Sequence, residues 1–225
     1  MENFVLQGKH VRLEPLDRRH IEGLVAAASA DPTLYDWSLV PQGVAEMTRH
    51  VETALSGREA GTAVPFATLR VADGVVLGST RFFDLERWAW PKGHARHGRG
   101  APDGCEIGYT WLTRAAIRTA ANTEAKLLML THAFEVWQLL RVSFHTDMRN
   151  QRSRAALERI GGRFEGILRS HRMASDCIAR DSARYSILAA EWPEVKPRLV
   201  QLMDRDRLST RGGSLSSVGK GILGA

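Results

Sequence analysis

Hydrophobic and polar positions alternate near the start of the chain, where Val11, Leu13 and Leu16 are separated by polar residues and a proline. A period of two is typical of a strand with one buried face. Asp17 follows directly and can cap a helix, which we expect over about 18–29. The pattern therefore predicts a strand followed by a helix.

Two further strands are predicted after a second helix. This helix is expected over about 44–55, with Gly57 as its end. The runs 65–71 and 75–84 have strand composition and are joined by 72–74, Ala-Asp-Gly. Such a turn between two strand-like runs is the strongest hairpin signal in the chain, so these strands should pair antiparallel.

The stretch 105–135 has the pattern of a strand, a tight turn without acids, and a long amphipathic helix. The strand contains residues that favour a buried, pleated surface, namely Ile107, Tyr109, Trp111 and Leu112. Asn122 or Thr123 is the expected N-cap of the helix. One helix face is apolar and can pack against a sheet, through Leu127, Leu130, Phe134 and Trp137. The opposite face carries Glu124, Lys126 and Glu135.

The rest of the chain adds strands and one more helix. The pattern predicts a strand over 141–146, a helix over 150–160, and strands over 164–168 and 183–189. The order β α α β β β α β α β β needs a parallel crossover beside the antiparallel hairpin, so we expect an α/β (α+β) fold with a mixed sheet. Residues 1–205 should form one domain, and the Gly/Ser-rich residues 206–225 should be a disordered tail.

Composition and charge fit an ordinary globular domain. The chain has 225 residues, of which 44% are hydrophobic, enough for one sizeable core. A formal charge of +6 from 31 basic and 25 acidic residues describes a mixed surface rather than a basic stripe. An acidic partner is compatible with this charge, and nucleic acid is not required.

Cysteine usage and hydropathy indicate the compartment. Cys105 and Cys177 belong to no Cys/His cluster, so neither a disulfide framework nor a metal site is expected. No apolar run approaches the roughly 20 residues that span a bilayer, and the N-terminal segment lacks a signal-peptide core. We therefore expect a cytoplasmic protein without a membrane partner.

The start of the helix in 105–135 is suited to bind an anion. The first helical turn leaves N–H groups without intrahelical partners, and the helix dipole makes that end locally positive. Phosphate groups bind readily at such ends. Most strand-turn-helix units hold no ligand, so this feature alone does not separate a binding site from an ordinary element of the fold.

Three segments carry a family resemblance: EIGYTWL before the turn, NTEAKLLMLTHAFE after it, and DMRNQRSRAALERIGGRFEG later. In this order they resemble the GNAT superfamily of acyl-CoA N-acyltransferases, especially its RimJ/RimL-like branch, over about residues 8–192. The resemblance implies a mostly antiparallel mixed sheet with a central splayed pair of parallel strands and flanking helices. It also implies direct transfer of acetyl from acetyl-CoA, without a metal, to the primary amine of a protein N-terminus, an antibiotic or a metabolite.

The resemblance assigns the acetyl-CoA pyrophosphate to the turn and the helix start. The family pattern is Gln/Arg-x-x-Gly-x-Gly/Ala, whereas here Ala120 and Asn122 stand at the small positions and the basic residue is displaced by one place to Arg118. Alanine at a positive φ would be strained. The implied cofactor-binding residues are Trp111, Leu112, Arg118, Thr119, Ala120, Ala121, Asn122, Thr123, Asn150 and Ser153. The two strand residues act through their main chain, and their side chains should pack in the core.

The general acid of the reaction is implied by the same resemblance. Ser153 would protonate the departing CoA thiolate, and Asn150 would contact the pantetheine arm while also capping its helix. Many family members have a tyrosine acid where Leu157 stands, and leucine cannot donate a proton. Ser153 or a bound water must then serve.

Glu106 is the predicted general base, because an ammonium must lose a proton before it can attack. A salt-bridged or solvated carboxylate at the strand end is an equally open interpretation. Asp84, Glu86 and His145 are weaker alternatives for the base. A histidine on a strand is more often a buried, hydrogen-bonded structural residue.

The loop 86–104 is polar and rich in glycine, proline and basic residues. Asp84, Trp88 and Trp90 are candidates to bind the acceptor, although loop tryptophans also serve as anchors. In a second hypothesis the domain is not an enzyme and binds acyl-CoA, or binds nucleic acid through His94, Arg96, His97 and Arg99. The resemblance is also compatible with a homodimer.

Overall fold

The structure, a computed structural model, describes the backbone of residues 4–212 and the side chains of residues 4–203. The strands are β1 (Leu6–Gln7), β2 (Val11–Pro15), β3 (Ala63–Arg70), β4 (Val76–Glu86), β5 (Gly104–Leu112), β6 (Arg141–Asp147), β7 (Arg163–Met173) and β8 (Ala179–Leu188). The α-helices are α1 (Ile21–Ser29), α2 (Gly43–Glu59), α3 (Ala120–Thr131), α4 (Gln151–Arg159) and α5 (Trp192–Gly212). α3 continues into a π-helical turn, His132–Val136.

The strands form one 8-stranded sheet in the order β1-β2-β3-β4-β5-β6-β8-β7. Neighbours in this described sheet pair antiparallel, apart from β5 and β6, which are parallel. The predicted mixed sheet is confirmed, and the predicted hairpin is the antiparallel pair β3 and β4. β5 and β6 run parallel because α3 carries the chain back across the sheet between them.

Helices cover both faces of the sheet. α1 and α2 pack on one face, where Leu24 and Met47 are fully buried. α3, α4 and α5 pack on the other face, where Leu130 is fully buried. Successive side chains of β3 point to opposite faces of the sheet and so enter both hydrophobic cores. Phe66 packs on the α3 side and Ala67 on the α1 side.

β5 and β6 separate partway along their length. Their pairing ends at Glu106 opposite Ser143. β5 also has a bulge, where its register slips against Ser79 and Arg81 of β4 and Tyr109 adopts a φ of 50°. Bulges bend a strand and increase its twist. Beyond Glu106, the edge of β5 that faces β6 therefore has no strand partner in the described sheet.

α3 begins earlier than the sequence predicted. Its N-cap is Thr119, whose hydroxyl accepts a hydrogen bond from the N–H two residues on at 3.2 Å. The predicted N-cap at Asn122 or Thr123 is therefore wrong. Ala120 and Asn122 lie in the first helical turn and have no positive φ, so the strain expected for alanine does not arise. The left-handed residue is Arg118 instead, with a φ of 60°.

Two charged residues of α3 are buried. Glu124 and Lys126 are 3% and 5% exposed, because α3 lies between the sheet and α5 and also contacts β1 and β2. Glu124 accepts hydrogen bonds from the backbone N–H groups of Lys9, His10 and Val11, at 2.8, 2.6 and 2.7 Å. This carboxylate thus joins the β1–β2 hairpin to α3.

The helix boundaries in the first half of the chain were partly predicted. The Asp17 cap is confirmed, since its carboxylate accepts the Arg19 N–H at 3.2 Å. The predicted end of the second helix at Gly57 is wrong, because α2 continues to Glu59. The left-handed turn that follows the helix is at Gly61, with a φ of 68°.

The sequence pattern missed β1 and α5. β1 has two residues, too few for a periodic signal, and α5 contains Pro197, a residue that usually ends helices. The predicted tail, 206–225, overlaps α5 up to Gly212, and the remainder of it lies outside the described residues. Within the described chain, no helix is both long and apolar enough to cross a bilayer.

Candidate active site

The separation of β5 from β6 opens into a cavity of about 730 Å³. The cavity is surrounded by β5, the N-termini of α3 and α4, the segment before α2 (residues 34–40) and the tip of the β7–β8 hairpin (residues 172–175). The predicted site residues that line it are Glu106, Trp111, Leu112, Arg118, Thr119, Asn122, Asn150 and Ser153. Segments far apart in sequence therefore meet at one concave surface.

The N-terminus of α3 faces this cavity. Thr119 and Asn122 line it, and the Thr119 hydroxyl donates to the Ala116 carbonyl at 2.7 Å, which fixes the turn before the helix. Arg118 adds a positive charge beside the cap. Its left-handed backbone costs about 1 kcal/mol for a residue with a side chain. Helix amides, the positive end of the dipole and an arginine together suit a phosphate group.

The unpaired edge of β5 forms another wall. The Trp111 side chain is 6% exposed and packs edge-on against Tyr35, at 5.9 Å between ring centroids. The Tyr35 hydroxyl donates to the Leu112 carbonyl at 3.2 Å. Because the main chain of β5 beyond Glu106 has no partner towards β6, an extended ligand can pair with it as a strand would.

The start of α4 contributes a hydroxyl group. The Asn150 side-chain oxygen accepts the Ser153 N–H at 2.9 Å, so Asn150 is the N-cap of α4. The side chain of Ser153 lines the cavity, as does that of Leu157 one turn later. Arg152 donates to the Leu34 carbonyl at 2.8 Å, which joins α4 to the segment before α2.

Glu106 and His145 form a buried pair where β5 and β6 separate. Glu106 Oε2 lies 2.5 Å from His145 Nδ1, and the two side chains are 6% and 7% exposed. An ionised carboxylate can only accept a hydrogen bond, so the shared proton belongs on Nδ1. His145 Nε2 is buried and has no hydrogen-bond partner among the described residues. The pair therefore leaves one imidazole nitrogen available to accept a proton.

The bulge in β5 rests on a buried arginine. The Arg81 guanidinium lies 3.9 Å from the centroid of the Tyr109 ring and donates to His50 Nε2 at 3.2 Å. Burial, assisted by the charge of Arg81, lowers the pKa of His50 to about 4, so this histidine is neutral and can accept. The left-handed backbone at Tyr109 is thus supported by packing from β4 and α2.

A buried amine lies beneath the same bulge. Lys126 Nζ donates to the Thr110 hydroxyl at 2.7 Å, and that hydroxyl lies 2.8 Å from the hydroxyl of Thr80. Burial lowers the pKa of Lys126 to about 7. Lys126 lines the cavity, so the wall under β5 holds an amine that is partly neutral near pH 7.

Contacts across the cavity join the β7–β8 hairpin side of the molecule to the segment before α2. The Ser175 hydroxyl donates to the Asp36 carbonyl. The Arg149 guanidinium lies over the Trp37 ring, 4.4 Å from its centroid. These two contacts tie Ser175 and Arg149 to the segment before α2.

Some predicted cofactor-binding residues do not line the cavity. These are Ala120, Ala121 and Thr123, all buried in the first turn of α3. Thr123 accepts a hydrogen bond from Arg159 at 3.1 Å. Their side chains therefore pack inside the protein, and only the main chain of this turn is suited to contact a ligand.

The three predicted acceptor-binding residues also lie outside the cavity lining. Trp90 donates through Nε1 to Asp103 at 2.9 Å, and the backbone N–H of Trp88 donates to the same carboxylate at 2.9 Å. This arrangement corresponds to the anchoring interpretation of the loop. The Asp84 side chain is 63% exposed and lies 4.0 Å from Arg172.

The polar residues of the cavity that were not predicted include His50, Lys126, Arg172 and Arg180. Arg172 and Arg180 belong to β7 and β8, but both fell between the predicted strands 164–168 and 183–189. His50 and Lys126 lie on helices whose sequence pattern does not indicate which polar residue faces a cavity. In the part of the chain that the structure describes, no group of His, Cys, Asp and Glu side chains is placed to hold a metal ion.

Known proteins share this fold and sequence pattern. The acetyltransferase (GNAT) domain family matches residues 10–163. A GCN5-related N-acetyltransferase from Brucella melitensis is 28% identical, with a TM-score of 0.76 over 90% of this chain and 86% of its own. A T. thermophilus protein assigned as an acetyltransferase is 34% identical, with a TM-score of 0.71 over 90% and 100%. Mycobacterium smegmatis RimJ, in complex with CoA-disulfide, is 24% identical, with a TM-score of 0.70 over 89% and 92%. No curated protein matches the sequence significantly.

Proposed function

Because this chain belongs to the GNAT acetyltransferase family, we propose that it transfers an acetyl group directly from acetyl-CoA to a primary amine bound in the cavity described above. The observation that carries the proposal is the meeting of three features in one cavity. These are the open edge of β5, the N-terminus of α3 and the buried Glu106–His145 pair.

The residues of the cavity fit acetyl-CoA. The α3 amides and Arg118 suit its pyrophosphate, and Arg152 and Arg159 add positive charge on α4. The unpaired main chain of β5 suits the amide groups of a pantetheine arm. When bound, acetyl-CoA supplies the activated acetyl group. The CoA-disulfide complex of the RimJ protein with the same fold supports this choice.

The Glu106–His145 pair is placed to accept a proton from the acceptor. Glu106 accepts from His145 Nδ1 and so orients the ring, which leaves Nε2 to take a proton from the ammonium. The neighbouring carboxylate stabilises the imidazolium that results. In this proposal Glu106 is a positioning residue, and His145 is the base in contact with the acceptor.

Ser153 is placed to donate a proton to the leaving thiolate. Its backbone is fixed by the hydrogen bond to Asn150, and its side chain faces the cavity. Main-chain N–H groups on the open edge of β5 can stabilise the negative charge that develops on the thioester oxygen. Leu157, which lines the cavity near Ser153, has no group that could replace the hydroxyl.

The nucleic-acid hypothesis has less support. Arg96 donates to the Gln138 carbonyl at 2.9 Å, and Arg99 donates to the Trp137 carbonyl at 3.0 Å. His94 is stacked on Trp90, with ring centroids 4.2 Å apart. These side chains hold the loop against the body of the protein and are already engaged there.

Release of free CoA tests the proposed reaction. Wild-type protein is incubated with acetyl-CoA and a panel of amines, N-terminal peptides and aminoglycosides, and the acetylated product is identified by mass spectrometry. We expect release that depends on an amine and yields a product heavier by one acetyl group. Binding of acetyl-CoA without turnover of any acceptor would contradict the enzyme proposal and favour an acyl-CoA sensor.

A further inference from the structure

Two arginines face each other across the β7–β8 hairpin. Arg172 and Arg180 are directly paired in the antiparallel register, so their side chains lie on the same face of the sheet. Both line the cavity. Like charges in this position repel each other, so the arrangement is unfavourable unless an anion lies between or beside them.

Direct ion pairs compensate this arginine pair only weakly. Asp84 is the carboxylate that pairs with Arg172, at 4.0 Å, and it is largely exposed. Among the described residues, no carboxylate forms an ion pair with Arg180, whose Nε donates to the Ser182 hydroxyl at 3.0 Å. Burial lowers the pKa of Arg180, and the charges of Arg172 and Arg149 act in the same direction, whereas Asp147 and Glu106 oppose it. The net direction is downward, so these carboxylates compensate the charge of Arg180 only in part.

The arginine pair lies on the side of the cavity that the Glu106–His145 pair occupies. The Arg172 guanidinium lies 5.9 Å from the centroid of the Phe83 ring on β4. Glu106 is among the charges that raise the pKa of Arg180, so Arg180 lies within electrostatic range of this carboxylate. The pair is therefore close to the group that would deprotonate the acceptor.

From this geometry we infer that the acceptor is an amine that carries a carboxylate or another oxyanion, which binds between Arg172 and Arg180 while its amine faces His145. This inference rests on the proposed acetyl transfer. Guanidinium groups bind carboxylates and phosphates through two parallel hydrogen bonds, which also fixes orientation. An anchored oxyanion would direct the amine of the same molecule towards the base and raise kcat/KM.

Matched acceptors that differ only in charge test the inference. One series uses C-terminally amidated tripeptides, Ala-Glu-Ala, Ala-Gln-Ala and Ala-Lys-Ala, and the other compares β-alanine with β-alaninamide. For wild-type protein, we expect the acidic member of at least one series to have a kcat/KM at least about tenfold above its neutral partner. The series that responds distinguishes a peptide from a small molecule as the source of the anion.

The variants Arg180→Gln and Arg172→Gln should lower kcat/KM of the acidic acceptor to about that of its neutral partner, so that the preference is lost. Arg169→Gln is the control, since Arg169 is on the same strand and outside the cavity lining. Each variant removes one of two like charges that face each other, so the fold should be preserved. Circular dichroism checks this. Equal kcat/KM for acidic and neutral wild-type substrates in both series would overturn the inference while leaving the acetyltransferase intact.

A higher KM for acetyl-CoA in Arg180→Gln, with the acceptor preference retained, would assign the pair to the cofactor and also overturn the inference. If no acceptor is acetylated, the proposed function fails first. In that case, calorimetric titration of the CoA-bound protein with the same peptides and amines tests whether the arginine pair binds an anion. Tighter binding of the acidic members supports the arginine site, and equal or absent binding refutes it.

Discussion

Glu106 and His145 are in direct contact in the structure, whereas each of them had a separate interpretation in the sequence. Glu106 was the predicted base, with a paired strand-end carboxylate as its alternative, and His145 was expected to be a buried structural histidine. In the structure the carboxylate is paired and the histidine is buried, and the pairing itself gives the histidine a defined role. In the proposed mechanism, the unpartnered Nε2 is the atom that accepts the proton.

Replacing Glu106 tests the pair. For Glu106→Gln we expect kcat to fall by about 100-fold or more, because the amide no longer stabilises an imidazolium, while the Kd of acetyl-CoA stays unchanged. Steady-state kinetics and calorimetry measure the two quantities. Glu86→Gln is the control, since Glu86 lies outside the cavity lining and accepts a hydrogen bond from Trp88 Nε1. Full kcat in Glu106→Gln would exclude the proposed pair from proton transfer.

Ser153 is tested by removing only its hydroxyl. Ser153→Ala keeps the backbone N–H that Asn150 accepts, so α4 should remain capped. We expect kcat to fall by about 100- to 10,000-fold, the typical contribution of a general acid, with little change in stability. Ser56→Ala, on the exposed face of α2, is the matched control. If Ser153→Ala keeps the wild-type kcat across the pH range, a bound water and not this serine is the acid.

Burial of Lys126 predicts a pH-dependent stability. Burial lowers its pKa from the ordinary 10.5 to about 7, so between pH 7 and 10 the unfolded chain binds more protons than the folded chain. The free energy of unfolding should therefore rise with pH in this window, with a slope approaching about 1.4 kcal/mol per pH unit from this group. Denaturant unfolding of wild type and Lys126→Met at several pH values measures it.

In Lys126→Met this contribution is absent, so its stability relative to wild type should be highest near pH 7 and decline towards pH 10. Lys92→Met, a change of an exposed lysine, should follow the wild-type curve. A constant difference between wild type and Lys126→Met across the window would show that the lysine is charged in the folded protein.

At the scale of elements, the sequence predicted strands and helices by period but placed the start of α3 wrongly. Asn122 was the expected N-cap because asparagine is a strong capping residue, yet Thr119 has that role and the alanines after it continue the helix. Capping propensity alone could not decide between Thr119 and Asn122, which lie three positions apart. Glu124 and Lys126 resembled a solvent-facing stripe, and their burial depends on α5 and the β1–β2 hairpin, which the pattern missed.

Glu124 is expected to stabilise the junction of α3 with the β1–β2 hairpin. In Glu124→Ala, three backbone N–H groups lose their acceptor in a largely buried site, so we expect the free energy of unfolding to fall by about 3 kcal/mol. Chemical denaturation measures the change. Glu22→Gln, on the exposed surface of α1, should shift stability by less than about 0.5 kcal/mol. A similarly small effect of Glu124→Ala would show that the hairpin is held mainly by apolar packing.

At the scale of the whole molecule, the two halves of the cavity differ in how far the sequence revealed them. The proposed cofactor side consists of contiguous segments, β5 with the start of α3 and the start of α4, so local motifs could predict it. The proposed acceptor side is assembled from α2, β4, β6 and the β7–β8 hairpin. His50 and Arg172 meet there only because of the strand order, which no local pattern encodes.

Calorimetric titration of the folded protein with acetyl-CoA, at two temperatures, tests the central claim that the cavity between β5 and β6 is an acetyl-CoA site. We predict saturable binding of one molecule per chain. The affinity should weaken as salt is raised, because arginines and the α3 N-terminus meet the phosphates. No binding at either temperature, with folding confirmed by circular dichroism, would contradict the account.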